Sequence, residues 1–133
     1  MTPAPSTAQV LTLSDLPADS PMPLLSRRRI IGEKMMVSDI HLSRGFRVQT
    51  HAHENEQISL VLSGRLRFTL GPETGTPADA TRPVHVLSAG MAIVLPSNLP
   101  HAAEALDDVH VLDLFSPPSQ GTGIDQKPQP RTH

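Results

Sequence analysis

The sequence predicts an all-β domain, a sandwich or barrel of short strands, and three observations carry that prediction. Apolar runs of four to nine residues alternate with turn residues from Arg28 to Phe115. No 3.6-residue apolar period persists over a long window, which argues against helices. The 14 Pro cluster towards both ends, leaving a middle free to pair strands.

With 133 residues the chain has room for one domain and not comfortably for two. Residues 1–24 include Thr-Pro-Ala-Pro-Ser and Leu-Pro-Ala-Asp-Ser-Pro-Met-Pro, spacing that prevents a long helix or a central strand, so a loose arm is expected. A short piece around Val10 to Leu13 is a candidate to pack against the barrel or a partner subunit. Residues 25–118 form the domain, and the polar segment 119–133 is expected to be disordered. A barrel this small gains from pairing, so a homodimer is expected.

Within the domain, strands are expected at Arg28 to Ile31, Lys34 to Leu42, Phe46 to His53, Gln57 to Ser63 and Arg65 to Leu70. After a loop rich in Gly, Pro and Thr from Gly71 to Pro83, further strands are expected at Val84 to Leu87, Ala92 to Leu95, His101 to Ala105 and His110 to Phe115. Turns fit Ser43-Arg44-Gly45, Ser63-Gly64, Ser88-Ala89-Gly90 and Pro96-Ser97-Asn98. The run Arg27-Arg28-Arg29 reads as solvated charge opening the first strand.

Composition excludes several functions. A net charge of −2 offers no basic surface for nucleic acid. With no Cys, disulfides and thiolate metal sites are excluded, and a metal would need His, carboxylate or amide ligands. No apolar window reaches the length of a membrane span. Met1 to Gln9 carries no Lys or Arg and Asp15 and Asp19 follow, unlike a secretory signal, so a cytoplasmic protein is expected.

The chemistry-bearing residues are histidines. His51 and His53 are two apart in a run that looks extended, so their imidazoles should share one face. Gln57 has the same parity, and His101 follows a Pro-bounded turn that could swing it towards the same interior. Three imidazoles and one oxygen suit a divalent transition metal (Zn, Fe, Ni, Mn or Co) with positions left for substrate. Glu56 is the competing oxygen ligand. Strict alternation puts it on the opposite face, although a bulge would invert that choice. Arg47 and Gln49 share the parity of His51 and His53 and are candidate substrate-binding residues. His41, His85, His110 and His133 have no motif around them and are read as non-ligands.

The spacing Gly45, His51, His53, Gln57, Gly64 resembles the first motif of the cupin superfamily, with Gln where Glu is usual. Gly90, Pro96, Asn98, His101 resembles the second, with Asn98 where Gly is typical and Ala105 where Asn is often found. Asn tolerates the left-handed backbone such a Gly adopts. The resemblance implies a double-stranded β-helix, the jelly-roll barrel, with His51, His53, Gln57 and His101 as metal ligands. A neutral amide ligand leaves the metal its full charge, favouring Lewis-acid chemistry over oxidation.

The stretches from His51 to Leu66, Leu95 to Ala103 and Asp113 to Pro118 further resemble cupins that linearise unsaturated uronates. That resemblance implies Asp113 as the acid/base and Phe115 as a substrate contact on the last strand. An Arg expected a few residues beyond is replaced, since Ser119 or Gln120 stands there. Three functions follow as expectations. The first is a Lewis-acid enzyme isomerising, opening or eliminating a small oxygenated molecule such as a sugar acid or keto compound. The others are an Fe(II)-dependent dioxygenase and a non-enzymatic small-molecule-binding barrel.

Overall fold

A computed structural model describes residues 7–118; residues 1–6 of the expected arm, the tail 119–133, and with it Ser119, Gln120 and His133, lie outside the described residues. Nine strands follow in order: β1 (Leu25–Ile31), β2 (Met36–Leu42), β3 (Arg47–His51), β4 (Glu56–Ser63), β5 (Leu66–Leu70), β6 (Val84–Leu87), β7 (Ala92–Leu95), β8 (His101–Ala105) and β9 (Val109–Ser116). They form two antiparallel sheets, β1-β2-β9-β4-β7 and β3-β8-β5-β6. Apart from β1-β2 and β5-β6, neighbours in each sheet are distant in sequence, as in a jelly roll, so most pairings bury non-local contacts.

The inner faces meet over Ile40, Leu42, Phe46, Val61, Leu66, Phe68, Leu95, Val109 and Val111, all buried. Each such side chain contributes about 1.5–3 kcal/mol of hydrophobic stabilisation. Alternation explains the layering: along β4, Gln57, Ser59 and Val61 point inward, and along β9, Val109, Val111, Asp113 and Phe115 do. The inner faces of both strands are apolar at one end of the barrel and carry polar groups at the other. Register places Ser38, Asp113 and Ser59 side by side across three strands at the polar end. All three are buried.

Three local details differ from the expectation. Arg27 is not solvated; it is only 4% exposed and pairs with Asp19, Nε to Oδ1 at 3.0 Å. Arg28 donates Nε to the Leu16 carbonyl, so residues 16–19 are tied to β1, which starts at Leu25 rather than Arg28. By contrast Val10, Leu11 and Leu13 are exposed. The Gly71–Pro83 loop contains a short 3-10 turn, Pro77–Thr81, with Asp79 accepting from the backbone of Thr74 and Gly75. Gly64, between β4 and β5, has φ +81°, and a Cβ there would stand 2.1 Å from the Asp108 carbonyl oxygen, so only Gly fits.

Candidate metal centre

His51 ends β3, His101 begins β8 and the two are paired across the sheet. His53 lies beyond β3, in the turn leading to β4, rather than inside a strand. Its position is held by the second-motif turn: Asn98, at φ +65° as the left-handed reading requires, donates its N–H to the His53 carbonyl at 2.8 Å. The rings converge, with centroids 4.3 Å apart for His51–His101, 5.1 Å for His53–His101 and 5.6 Å for His51–His53. One ring nitrogen from each lies within 4.8 Å of the others, so the three could hold a metal ion.

The outer nitrogens decide what the inner ones offer. His51 Nδ1 meets the Gln49 carbonyl at 2.8 Å, His53 Nδ1 the Asn55 carbonyl at 3.0 Å, and His101 Nδ1 the Leu99 carbonyl at 2.9 Å. A carbonyl only accepts, so each Nδ1 carries the proton and each Nε2 presents a lone pair to the common centre. Burial pushes His101 down to about 4, with the charges of His51 and His53 adding to the effect, and lowers His51 as well. Both therefore stay neutral, the form a metal needs.

Gln57 completes the set. Its Nε2 donates to Ser59 Oγ at 2.9 Å, which turns Oε1 towards His53 Nε2 at 3.1 Å. With the proton on Nδ1, these are two acceptors facing each other in a buried site. A shared cation reconciles them: two ligands at about 2.1 Å and right angles stand about 3.0 Å apart. The donor set, three imidazoles and an amide oxygen, thus fits a divalent transition metal. Glu56 is exposed and points away, so parity is kept on β4.

Parity fails on β3 instead. A bulge lies between Val48 and His51, and it is Val48 that lines the interior cavity with His51. Arg47 and Gln49 are exposed on the outer surface, in a groove with Thr50, Arg67 and Glu104. The expectation that they face the His set is corrected: the extra residue flips every side chain before the bulge.

Asp113 and Phe115 stand where expected. Both are buried and line the interior cavity of about 40 Å³ together with His51, Gln57 and His101. Phe115 packs edge-on against His53, centroids 5.9 Å apart. Asp113 Oδ1 accepts from Ser59 Oγ at 2.6 Å, and burial pushes its carboxyl up to about 6 despite that bond. The buried polar chain therefore runs His53–Gln57–Ser59–Asp113.

Sequence reasoning missed Ser59 and Asn55. Ser59 had a parity signal, being two residues past Gln57 on the inner face; Asn55, whose Nδ2 donates to the Pro117 carbonyl, had none. A second group also escaped it, because only strand pairing brings Asp39 and His41 of β2 to His110 of β9.

A family model described as Cupin domain matches residues 39–115, more than half of the chain. No curated protein matches the sequence significantly. Among solved structures, KdgF from Halomonas sp. is 28% identical, with a TM-score of 0.72, over 85% of this chain and 96% of that one. An RmlC-like cupin from Shewanella frigidimarina NCIMB 400 is 20% identical, TM-score 0.71, over 86% of this chain and 95% of that one. An oxalate decarboxylase from Lactobacillus farciminis shares 18% identity, TM-score 0.70, over 90% of this chain but 37% of its own. The latter two likenesses concern the fold alone. With both motifs on neighbouring strands of one jelly roll and the domain matched from Asp39 to Phe115, the chain belongs to the cupin superfamily.

Proposed function

We propose that this cupin is a metal-dependent enzyme acting on a small oxygenated molecule of the sugar-acid or keto class, by isomerisation, ring opening or elimination. The observation that carries the reading is a buried carboxyl, Asp113, joined through Ser59 and Gln57 to a three-imidazole centre. A divalent cation held by His51, His53, Gln57 and His101 supplies Lewis-acid polarisation of a substrate oxygen.

The chain's own residues supply the rest. Asp113, held near 6 by burial, exchanges a proton close to neutral pH, where an ordinary carboxylate does not. Ser59 donates to Oδ1, fixing the carboxyl's rotamer and leaving Oδ2 for the proton. Phe115 and Val48 form apolar walls that limit competing water. The interior admits only a group the size of one or two waters, so the body of a sugar acid stays at the mouth beside His51, the partly exposed member of the set.

The sugar-acid class is supported by the motif resemblance to uronate-linearising cupins and by the 28% identity with KdgF along 96% of that chain. The test is Asp113→Asn assayed with unsaturated uronates and metal content measured in parallel. Loss of turnover by at least on the order of 100-fold with metal retained is expected of an acid/base. Full activity of the Asn variant would remove Asp113 from the chemistry.

A further inference from the structure

The outer face of the five-stranded sheet carries a second cluster that the barrel chemistry does not use. Asp39 and His41 are two apart on β2 and so share a face, and His110 of β9 is the register partner of His41. The two imidazoles stack with centroids 4.2 Å apart and planes within 11°. Both turn Nε2 to the same carboxylate: His110 Nε2 is 2.6 Å from Asp39 Oδ1, and His41 Nε2 is 3.7 Å from Oδ2. Three ligand atoms, one per residue, lie within 4.8 Å of one another.

We propose that Asp39, His41 and His110 form a second divalent transition-metal site, of the borderline class that includes Zn(II), on the surface of the barrel. Two imidazoles and one carboxylate are a recurrent donor set for such cations, and three protein ligands leave positions open to water or an external ligand. Strand geometry pre-builds the set. Cross-strand pairing and i, i+2 spacing hold all three on a rigid sheet, so little ordering is needed to close them around an ion. Asp39 is buried, 6% exposed, although it lies on the outer face, while the His41 side chain is 56% exposed, so the set joins a buried carboxyl to an imidazole open to solvent.

Access is provided by a groove of about 610 Å³ lined by His41, His110, Leu24, Ser26, Ser43 and Asp108. Arg28, the β1 partner of Asp39, directs its Nε to the Leu16 carbonyl. Asp108, accepting from the Arg44 backbone N–H, adds acidic character at the groove.

The experiment is calorimetric titration of the full metal-stripped chain with ZnCl2, repeated with Co(II) to record its absorption spectrum. The native chain is expected to bind two equivalents. His51→Ala should remove or weaken one of them, and His41→Ala the other, by on the order of 100-fold. His41 is exposed, so its variant keeps the fold, checked by circular dichroism, and Asp39→Asn provides a second test. A His41-dependent equivalent that persists in His51→Ala supports the surface site whatever happens at the barrel centre. Zinc stoichiometry and affinity that are unchanged in both His41→Ala and Asp39→Asn would overturn it.

Discussion

Ser59→Ala probes the buried chain beside the metal centre without needing a substrate. Ser59 is fully buried; its Oγ accepts from Gln57 Nε2 at 2.9 Å and donates to Asp113 Oδ1 at 2.6 Å. Truncation strands one donor and one acceptor, each at about 1–3 kcal/mol, so a loss of roughly 2–6 kcal/mol is expected at pH 7. The cost also depends on pH. Asp113 rises from 3.8 to about 6 on folding, which means that the folded state binds its proton more tightly than the unfolded chain does. Its burial is therefore harmless below about pH 4 and costs about 3 kcal/mol above pH 6, the loss developing as pH rises between the two. Ser59 offsets part of that cost, because its hydrogen bond favours the ionised form. The Ala variant should thus be destabilised more at pH 7 than at pH 4, by about 1 kcal/mol, the gap between a charge-assisted and a neutral hydrogen bond. Histidine titrations affect both proteins alike and cancel in the difference. With no Trp or Tyr in the chain, urea unfolding of metal-free protein is followed by far-UV circular dichroism. A stability loss below 0.5 kcal/mol (an estimate of the assay's floor, roughly the surface-substitution range), or one equal at both pH values, would refute the coupling of Ser59 to an ionisable Asp113.

Replacing His101 by Ala should remove one equivalent of bound metal, read by elemental analysis of purified protein; unchanged content would exclude His101 as a ligand. In the metal-free protein, His101 falls from 6.5 to about 4 on folding, so the stability it permits is full above pH 6.5 and declines by about 3 kcal/mol as pH falls towards 4. Across that window the native chain should lose about 3 kcal/mol more than His101→Gln, since Asp113 and His51 titrate in both and cancel in the difference. Gly64→Ala should cost roughly 2–4 kcal/mol in urea unfolding, because a Cβ meets the Asp108 carbonyl at 2.1 Å and φ is +81°; a neutral substitution would mean that the turn between β4 and β5 relaxes freely.

The strand pattern, the turn positions and the two His motifs were legible in the sequence because each rests on local rules. Period-two alternation assigned Gln57 over Glu56, and Asn98 was readable as a left-handed turn residue. The same rule failed for Arg47 and Gln49. A bulge is a property of how β3 meets β8, and nothing within β3 announces it. Arg27 was misread for a related reason: its partner, Asp19, comes from a segment that looked unstructured by composition.

The His set was legible in the sequence through its resemblance to the two cupin motifs. Which nitrogen of each ring faces the centre, and how Gln57 is oriented, rest on hydrogen bonds to residues two positions away (Gln49, Asn55, Leu99 and Ser59), but the pairing of β3 with β8 that sets His101 opposite His51 was decided by tertiary structure. The pairing of β2 with β9 likewise brought Asp39, His41 and His110 together across 71 residues of chain. Alternation is fixed by backbone geometry within a strand, whereas register, bulges and burial arise only when strands distant in sequence meet.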